Sequence, residues 1–236
     1  MDTLTVIPIH GIPEVDPGDV LATYIADAAD AQGTPLDHGD VVVVTQKVVS
    51  KAEGRLVEID PTDPDARRKL VESEAVRVLR TRGELMIVET RHGFVCAAAG
   101  VDLSNVADGY AALLPVDGDK SAKRIRDNLR ATRDVEVAVI ISDTFGRPWR
   151  RGLTDVAIGV SGVAAIVDLR GATDAHGREL VVTEVAVADE IASAAELVMG
   201  KSAGVPVAIV RGVDPAWMHE SSVRELVRDP AEDLFR

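Results

Sequence analysis

Apolar positions along the chain fall into short runs separated by turn residues, and the period of each run sets the element it predicts. Residues 4–9 (LTVIPI) are rich in β-formers and end at a break, His10-Gly11-Ile12-Pro13. Val20, Leu21, Tyr24, Ile25 and Ala28 recur at helical spacing and predict a helix over 19–31. His38-Gly39-Asp40 then turns the chain into Val41–Val44, four successive β-branched residues that suit a fully buried strand. Asp60-Pro61-Thr62-Asp63-Pro64 reads as loop, with a charged helix expected over 64–82. Strands are expected at 84–89 (ELMIVE) and 93–98 (GFVCAA), joined by an Arg91-His92-Gly93 turn. A basic helix over 120–133 buries Ala122, Ile125 and Leu129, and 135–142 (VEVAVIIS) is a strongly apolar strand. Residues 156–168, small and apolar, fit a strand or a helix equally. An Ala-rich helix over 184–199, a strand at 205–210 (VPVAIV) and a helix over 220–228 complete the pattern. Strands and helices mixed in this way predict an α/β (mixed α+β) fold, with the topology open.

The chain has 236 residues, enough to bury a substantial core, and 46% of them are apolar, which excludes disorder. Aromatics are only 3%, so that core must be aliphatic. A formal charge of −13 argues against nucleic acid or an anionic membrane as partner. The single cysteine, Cys96, excludes an internal disulfide and a thiolate cluster. No signal-peptide pattern opens the sequence and no apolar run approaches the roughly 20 residues of a membrane span, so a cytoplasmic location is expected.

The stretch Ser142-Asp143-Thr144-Phe145-Gly146-Arg147-Pro148-Trp149-Arg150-Arg151-Gly152 carries the most chemistry. It reads as an apolar strand that ends in a carboxylate and a hydroxyl, followed by a turn with three arginines. Asp143 and Thr144 offer hard oxygens suited to Mg²⁺ or Mn²⁺, and Arg147, Arg150 and Arg151 could fork onto phosphate or carboxylate. The alternative is a polar turn in which Asp143 pairs with an arginine. Gly100-Val101-Asp102-Leu103-Ser104-Asn105 reads as an Asx-type turn, unless Asp102 meets Asp143 in space and the two share a cation. Thr45-Gln46-Lys47-Val48-Val49-Ser50-Lys51 sets polar groups at another strand end, where Lys51 either neutralises phosphate or is an ordinary surface lysine. Gly200-Lys201-Ser202 fails as a Walker motif, because position 195 is Ala and a helix precedes it; a helix C-cap, with Lys201 facing the carbonyl dipoles, is the expected reading. No G-x-G-x-x-G is present. The cations of the 120–133 helix are read as a solvated face, and the five scattered histidines favour neither a metal site nor a triad.

These segments together resemble the coenzyme F420:L-glutamate ligase family. The likeness runs through Gly11-Ile12-Pro13-Glu14-Val15 with Pro17-Gly18-Asp19, Thr45 to Lys51 with Ala52-Glu53-Gly54, and the Gly100–Asn105 and Ser142–Gly152 segments. It continues in Asp155-Val156-Ala157-Ile158-Gly159, Asp174 with Gly177-Arg178-Glu179-Leu180, Ala188-Asp189-Glu190 and Leu197-Val198-Met199-Gly200. The resemblance implies a fold peculiar to the family, neither Rossmann nor P-loop, as one ligase domain over 1–236. That domain could comprise two intertwined subdomains, or be the N-terminal half of a longer protein. It implies a GTP-dependent ligase that adds L-glutamate to coenzyme F420-0 and then further γ-linked glutamates, working as a homodimer with Mg²⁺ or Mn²⁺ and with K⁺ as a further cation.

By the same likeness Asp102 and Asp143 would hold one metal ion and Thr144 a second. Ile12, Pro13, Glu14, Val15, Thr45, Gln46, Lys51 and Asn105 would contact GTP, together with Met199, Gly200, Lys201, Ser202, Ala203, Gly204 and Val205. Apart from the likeness, charge alone suggests that Lys51 with Arg147, Arg150 or Arg151 could cover anionic charge during catalysis. The chain departs from the family pattern at Lys201, where archaeal members carry a metal-binding Gln or Glu. A metal-dependent phosphohydrolase and a non-catalytic nucleotide-binding domain are the rival readings.

Overall fold

The computed structural model describes residues 3–104 and 106–234. Strand β1 (Thr5–Ile9) leads through a loop to helix α1 (Leu21–Ala31), which buries Leu21, Ala22, Ile25, Ala26, Ala28 and Ala29. Strand β2 (Val41–Thr45) passes without a loop into the short helix α2 (Gln46–Ala52). Then follow β3 (Leu56–Glu58), α3 (Ala66–Glu74), β4 (Ala75–Arg82), β5 (Leu85–Thr90), β6 (Val95–Ala97) and β7 (Tyr110–Ala112). Helix α4 (Gly118–Arg133) precedes β8 (Ala138–Arg147) and β9 (Arg150–Ser161). The pair β10 (Val167–Asp168) and β11 (Glu184–Val185), helix α5 (Val187–Met199) and β12 (Val207–Arg211) complete the regular elements, with 3₁₀ turns at Pro215–Trp217 and Val223–Leu226.

One five-stranded sheet organises the molecule, in the order β1-β12-β2-β8-β9. Only β2 and β8 run parallel; the other neighbours are antiparallel. Val41, Val42, Val43 and Val44 are all fully buried, as are Ala138, Val139, Ile140 and Ile141. Successive strand side chains point to opposite faces, so both faces of this sheet are covered. Helix α4 packs on β8 and β9 and carries α1, which also touches β1, and α5 lies against β1, β12 and β9. The antiparallel sheet β4-β5-β6 gathers a smaller apolar cluster of Val71, Met86, Val88, Ala98, Ala99, Val101, Ala111 and Leu113. No described helix is long and apolar enough to cross a membrane.

The structure corrects four expectations. The helix expected over 64–82 stops at Glu74, and Ala75–Arg82 is a strand. Beyond Leu70 and Val71 the apolar stripe ends, and β-branched residues alternate with arginines. Pairing with β5 (Val78 with Val88, Thr81 with Met86) satisfies the backbone that a lone polar helix would leave in water. The strand expected at 135–142 runs on to Arg147, because β9 pairs with it as far as Arg147 opposite Arg150. The arginine segment is therefore a β-ribbon closed by Pro148-Trp149, with Trp149 at φ 57°, and not a long turn. Residues 156–161 are strand. The helix over 220–228 is only a 3₁₀ turn, Val223–Leu226, closed by a capping box between Ser222 and Glu225.

Candidate active site

Because β2 and β8 are parallel neighbours, the C-terminal end of β2 lies beside the middle of β8, with Thr45 in register with Ser142 and β8 running on beyond it to Arg147. This is where open α/β sheets leave a crevice. A cleft of about 430 Å³ opens there. Its walls come from the loop after β1 (Ile12, Pro13, Glu14, Val15), the β2–α2 junction (Thr45, Gln46, Lys47, Val48, Lys51), the Asp102–Ser104 turn, the β8–β9 ribbon, and the chain between α5 and β12.

Each wall has a local cause. Gln46 is 2% exposed and anchors α2 by donating from Nε2 to Ser50 Oγ (2.6 Å) and to the Leu113 carbonyl (2.9 Å). This turns Lys47 and Lys51 toward the cleft. Asp102 is delivered by a strained turn, in which Ala98 (φ 52°) and Ala99 (φ 54°) are left-handed although they are not glycine. Such residues cost on the order of 1 kcal/mol each and persist only when packing fixes them; here both are buried in the smaller cluster. Gly100 (φ 70°) continues the turn, where a Cβ would overlap the Leu114 side chain.

The cleft is lined by five carboxylates (Glu14, Asp102, Asp143, Asp155, Glu196) and three lysines (Lys47, Lys51, Lys201). Lys47 pairs with Asp102 at 2.8 Å, and Lys51 pairs with Glu14. Lys201 bridges Asp155 (2.8 Å) and Glu196 (3.1 Å) and donates to Thr144 Oγ1. Asp143 alone has no lysine of its own. Its Oδ1 accepts the Thr144 N–H at 2.8 Å and it forms no ion pair with any described residue. Desolvation, with repulsion from Asp155 and Asp102, pushes its carboxyl up to about 7. Asp102 shows the opposite outcome: burial disfavours its charge, but Lys47 and the Ser104 N–H (2.7 Å) outweigh it and hold the carboxyl below the ordinary range. Burial also works against the charge on Lys201, yet Asp155 and Glu196 raise its affinity for the proton.

A carboxylate among carboxylates, left over after every lysine is paired, is what a cation would neutralise, and the nearby donors are hard oxygens. The residues therefore fit a Mg²⁺- or Mn²⁺-class ion at Asp143, with Asp102 and the Thr144 hydroxyl as neighbours. Among the described residues no three His, Cys, Asp or Glu side chains form a complete ligand set, so ligand or water oxygens would have to finish the shell. Cys96 is no nucleophile, since burial and then the negative Asp143 push its thiol up to about 12.

Most of the residues singled out in the sequence meet at this cleft. Ile12, Pro13, Glu14, Val15, Thr45, Gln46, Lys51, Asp102, Asp143, Thr144, Gly200, Lys201, Ser202, Gly204 and Val205 all line it. Met199 is instead fully buried in the core, Ala203 is exposed outside the lining, and Asn105 lies outside the described residues. Arg147, Arg150 and Arg151 sit on the exposed ribbon and do not line the cleft. Arg147 donates to the Arg151 carbonyl at 3.2 Å, and Asp143 pairs with no arginine among the described residues. Lys201 does not cap α5 through its carbonyls. Gly200 (φ 61°, ψ 167°) throws the chain outward, and the ammonium reaches the β8–β9 ribbon.

Sequence reasoning assigned no role to Lys47, Glu196 or, most consequentially, Asp155. Asp155 is 1% exposed and accepts from Ser142 Oγ (3.2 Å), Thr144 Oγ1 (2.6 Å) and Lys201 Nζ (2.8 Å). An acidic residue that opens an apolar run, Asp155-Val156-Ala157-Ile158, was the available signal.

Fold and cleft together define a mixed α/β protein with a crevice at its parallel strands, lined by carboxylates and lysines. The sequence matches the F420-0:gamma-glutamyl ligase family over residues 11–212, and the chain belongs to that family. It is similar to proteins named coenzyme F420:L-glutamate ligase from Methanopyrus kandleri (42% identity, 100% of this chain and 99% of the relative) and Methanothermobacter thermautotrophicus (43%, 99% of each). The relative of that name from Archaeoglobus fulgidus is 39% identical over 98% of this chain and 96% of its own length.

Proposed function

We propose that this ligase of coenzyme F420 biosynthesis joins the carboxylate of coenzyme F420-0 to the amine of L-glutamate at the expense of GTP, and then adds further γ-linked glutamates. A carboxylate is a poor electrophile, so it must be activated. In this reading a carboxylate oxygen of F420-0 attacks the γ-phosphorus of GTP, GDP leaves, and an acyl phosphate forms. The glutamate amine then attacks the acyl carbon, phosphate departs with one of the original carboxylate oxygens, and the amine gives up a proton.

Positioning and charge neutralisation supply most of the catalysis in such a transfer. Lys47, Lys51 and Lys201 contribute positive charge along the cleft wall. Asp143, with Asp102 and Thr144, would hold a divalent cation, which supplies neutralisation of phosphate oxygens when bound. Asp155 fixes the hydroxyls of Ser142 and Thr144 and the Lys201 ammonium. Arg147, Arg150 and Arg151, exposed on the ribbon, are available to an acidic second substrate.

The observation that carries this reading is Asp143, the single cleft carboxylate without a lysine partner. F420-0 labelled with ¹⁸O in its carboxylate tests it, because one labelled oxygen should appear in the released phosphate in step with glutamate addition. Phosphate release indifferent to F420-0 and glutamate would instead favour a hydrolase, and absence of GTP binding a non-catalytic domain. A homodimer belongs to the same proposal and is supported by apolar side chains left exposed at Leu153, Val181, Val182 and Leu197. Light scattering that returned a monomer mass would remove that part.

A further inference from the structure

The family likeness implied two metal ions, one of them at Thr144, and the surroundings of that hydroxyl do not fit the second. Thr144 on β8 stands opposite Asp155 on β9 and donates from its hydroxyl to Asp155 Oδ1 at 2.6 Å. Glu196, in the last turn of α5, brings a further carboxylate to the same place. Among these oxygens lies the Lys201 ammonium. It is 2.8 Å from Asp155 Oδ1 and 3.1 Å from Glu196 Oε1, and it donates to Thr144 Oγ1. An ammonium has three hydrogens to give, and here each has its own acceptor.

Charge explains why the lysine is held there. The Asp155 side chain is 2% exposed and that of Glu196 is 20% exposed. Neither forms an ion pair with any other described residue, so Lys201 is their common counter-charge. Carboxylates withdrawn from water are costly without one. Two carboxylates and a hydroxyl are also the hard oxygens that Mg²⁺ or Mn²⁺ takes. Ammonium and divalent ion exclude each other, because both would draw on the same oxygens at the same place and like charges repel at that range. The hydroxyl is already committed as well, its hydrogen to Asp155 and one lone pair to Lys201.

We infer that Lys201 is a built-in monovalent cation that stands in for a second metal ion, so that the cleft takes a single divalent ion, the one assigned to Asp143. A tethered ammonium brings one positive charge where a divalent ion would bring two, and it stays in place when metal is scarce. This role deepens the ligase reading and rests on it for the ion at Asp143, whereas the exclusion at Lys201 rests on the side chains alone.

Counting bound Mn²⁺ by paramagnetic resonance tests this on the whole chain, since loss of the free-ion signal reports binding and no step uses GTP, F420-0 or glutamate. The wild type should saturate at one ion per chain and Lys201→Met at two. Adding Glu196→Gln to Lys201→Met should weaken the gained ion at least tenfold. Mn²⁺ should also raise the melting temperature of Lys201→Met by more than that of the wild type. The Lys201 side chain is 55% exposed, so its exchange should leave the fold intact, and Lys201→Gln gives the same reading if Met does not. Equal counts in wild type and variants, two ions in the wild type, or a gained ion indifferent to Glu196→Gln would each overturn the assignment. A rise from none to one would uphold the exclusion at Lys201 and remove the ion at Asp143, so the two readings fail separately.

Discussion

Asp143 carries a cost in the ligand-free protein that its removal should reveal. Its carboxyl keeps its proton up to about pH 7 when folded, whereas an unfolded aspartate releases it near the ordinary value of 3.8. Between those values the folded chain binds more protons, so stability is fully present below the lower value and falls as pH rises through the upper one. Asp143→Asn should remove that slope. In chelator-treated protein at pH 8, urea titration should find the variant more stable by about 1–3 kcal/mol, a difference that vanishes near pH 4. Glutamate addition by the same variant should drop on the order of a hundredfold. A variant less stable at pH 8 would mean that Asp143 is satisfied in the free protein. At this scale the sequence was legible where a residue type has few uses, as with a carboxylate and hydroxyl together at a strand end. It was silent on Asp155, whose role is set by Lys201 arriving from 46 positions away, and it placed Lys201 at the site only through family likeness, because a lysine after a helix glycine has an adequate local explanation.

At the scale of elements, the site depends on how closely α4 approaches β9. Gly118 and Gly159 meet backbone to backbone, and a Cβ on Gly118 would overlap the Ile158 carbonyl. Just beyond, Asp119 in the first turn of α4 accepts from the Val160 N–H (2.8 Å) and the Ser222 hydroxyl (2.7 Å), tying helix, strand and C-terminal segment together. Neither glycine needs an unusual φ, so the requirement is space alone. Gly118→Ala should therefore cost about 3 kcal/mol, read as a lowered urea midpoint, because backbone rather than a flexible side chain must yield. A loss under about 1 kcal/mol would show that α4 can slide. The elements legible in the sequence were those with one strong local pattern: β1, α1, β2, β5, β6, α4, α5 and β12. The ribbon and β4 were not, because Ser142–Gly152 and Ala75–Arg82 are polar segments held extended only by partner strands, and pairing leaves no trace in a local pattern.

Taken whole, the molecule concentrates its burial in one layer. β2 and β8 are central and enclosed on both faces, whereas β4 sits at the rim of a small sheet with Val76 65% exposed and Val78 44% exposed. Amide exchange should follow that gradient, with β2 and β8 opening only on global unfolding and β4 exchanging earlier. Equal protection of β4 and β8 by mass spectrometry would contradict it. The chain-order pattern implied strands and helices in one body but not that β2 and β8, nearly a hundred residues apart, would be neighbours. That pairing has an evolutionary consequence. Thr45 and Ser142 stand at one level because the two strands share a register. An indel within either would displace one rim of the crevice by about 3.3 Å and invert the strand's inward and outward positions. Lineages that keep this chemistry should therefore vary in length around these two strands and never inside them.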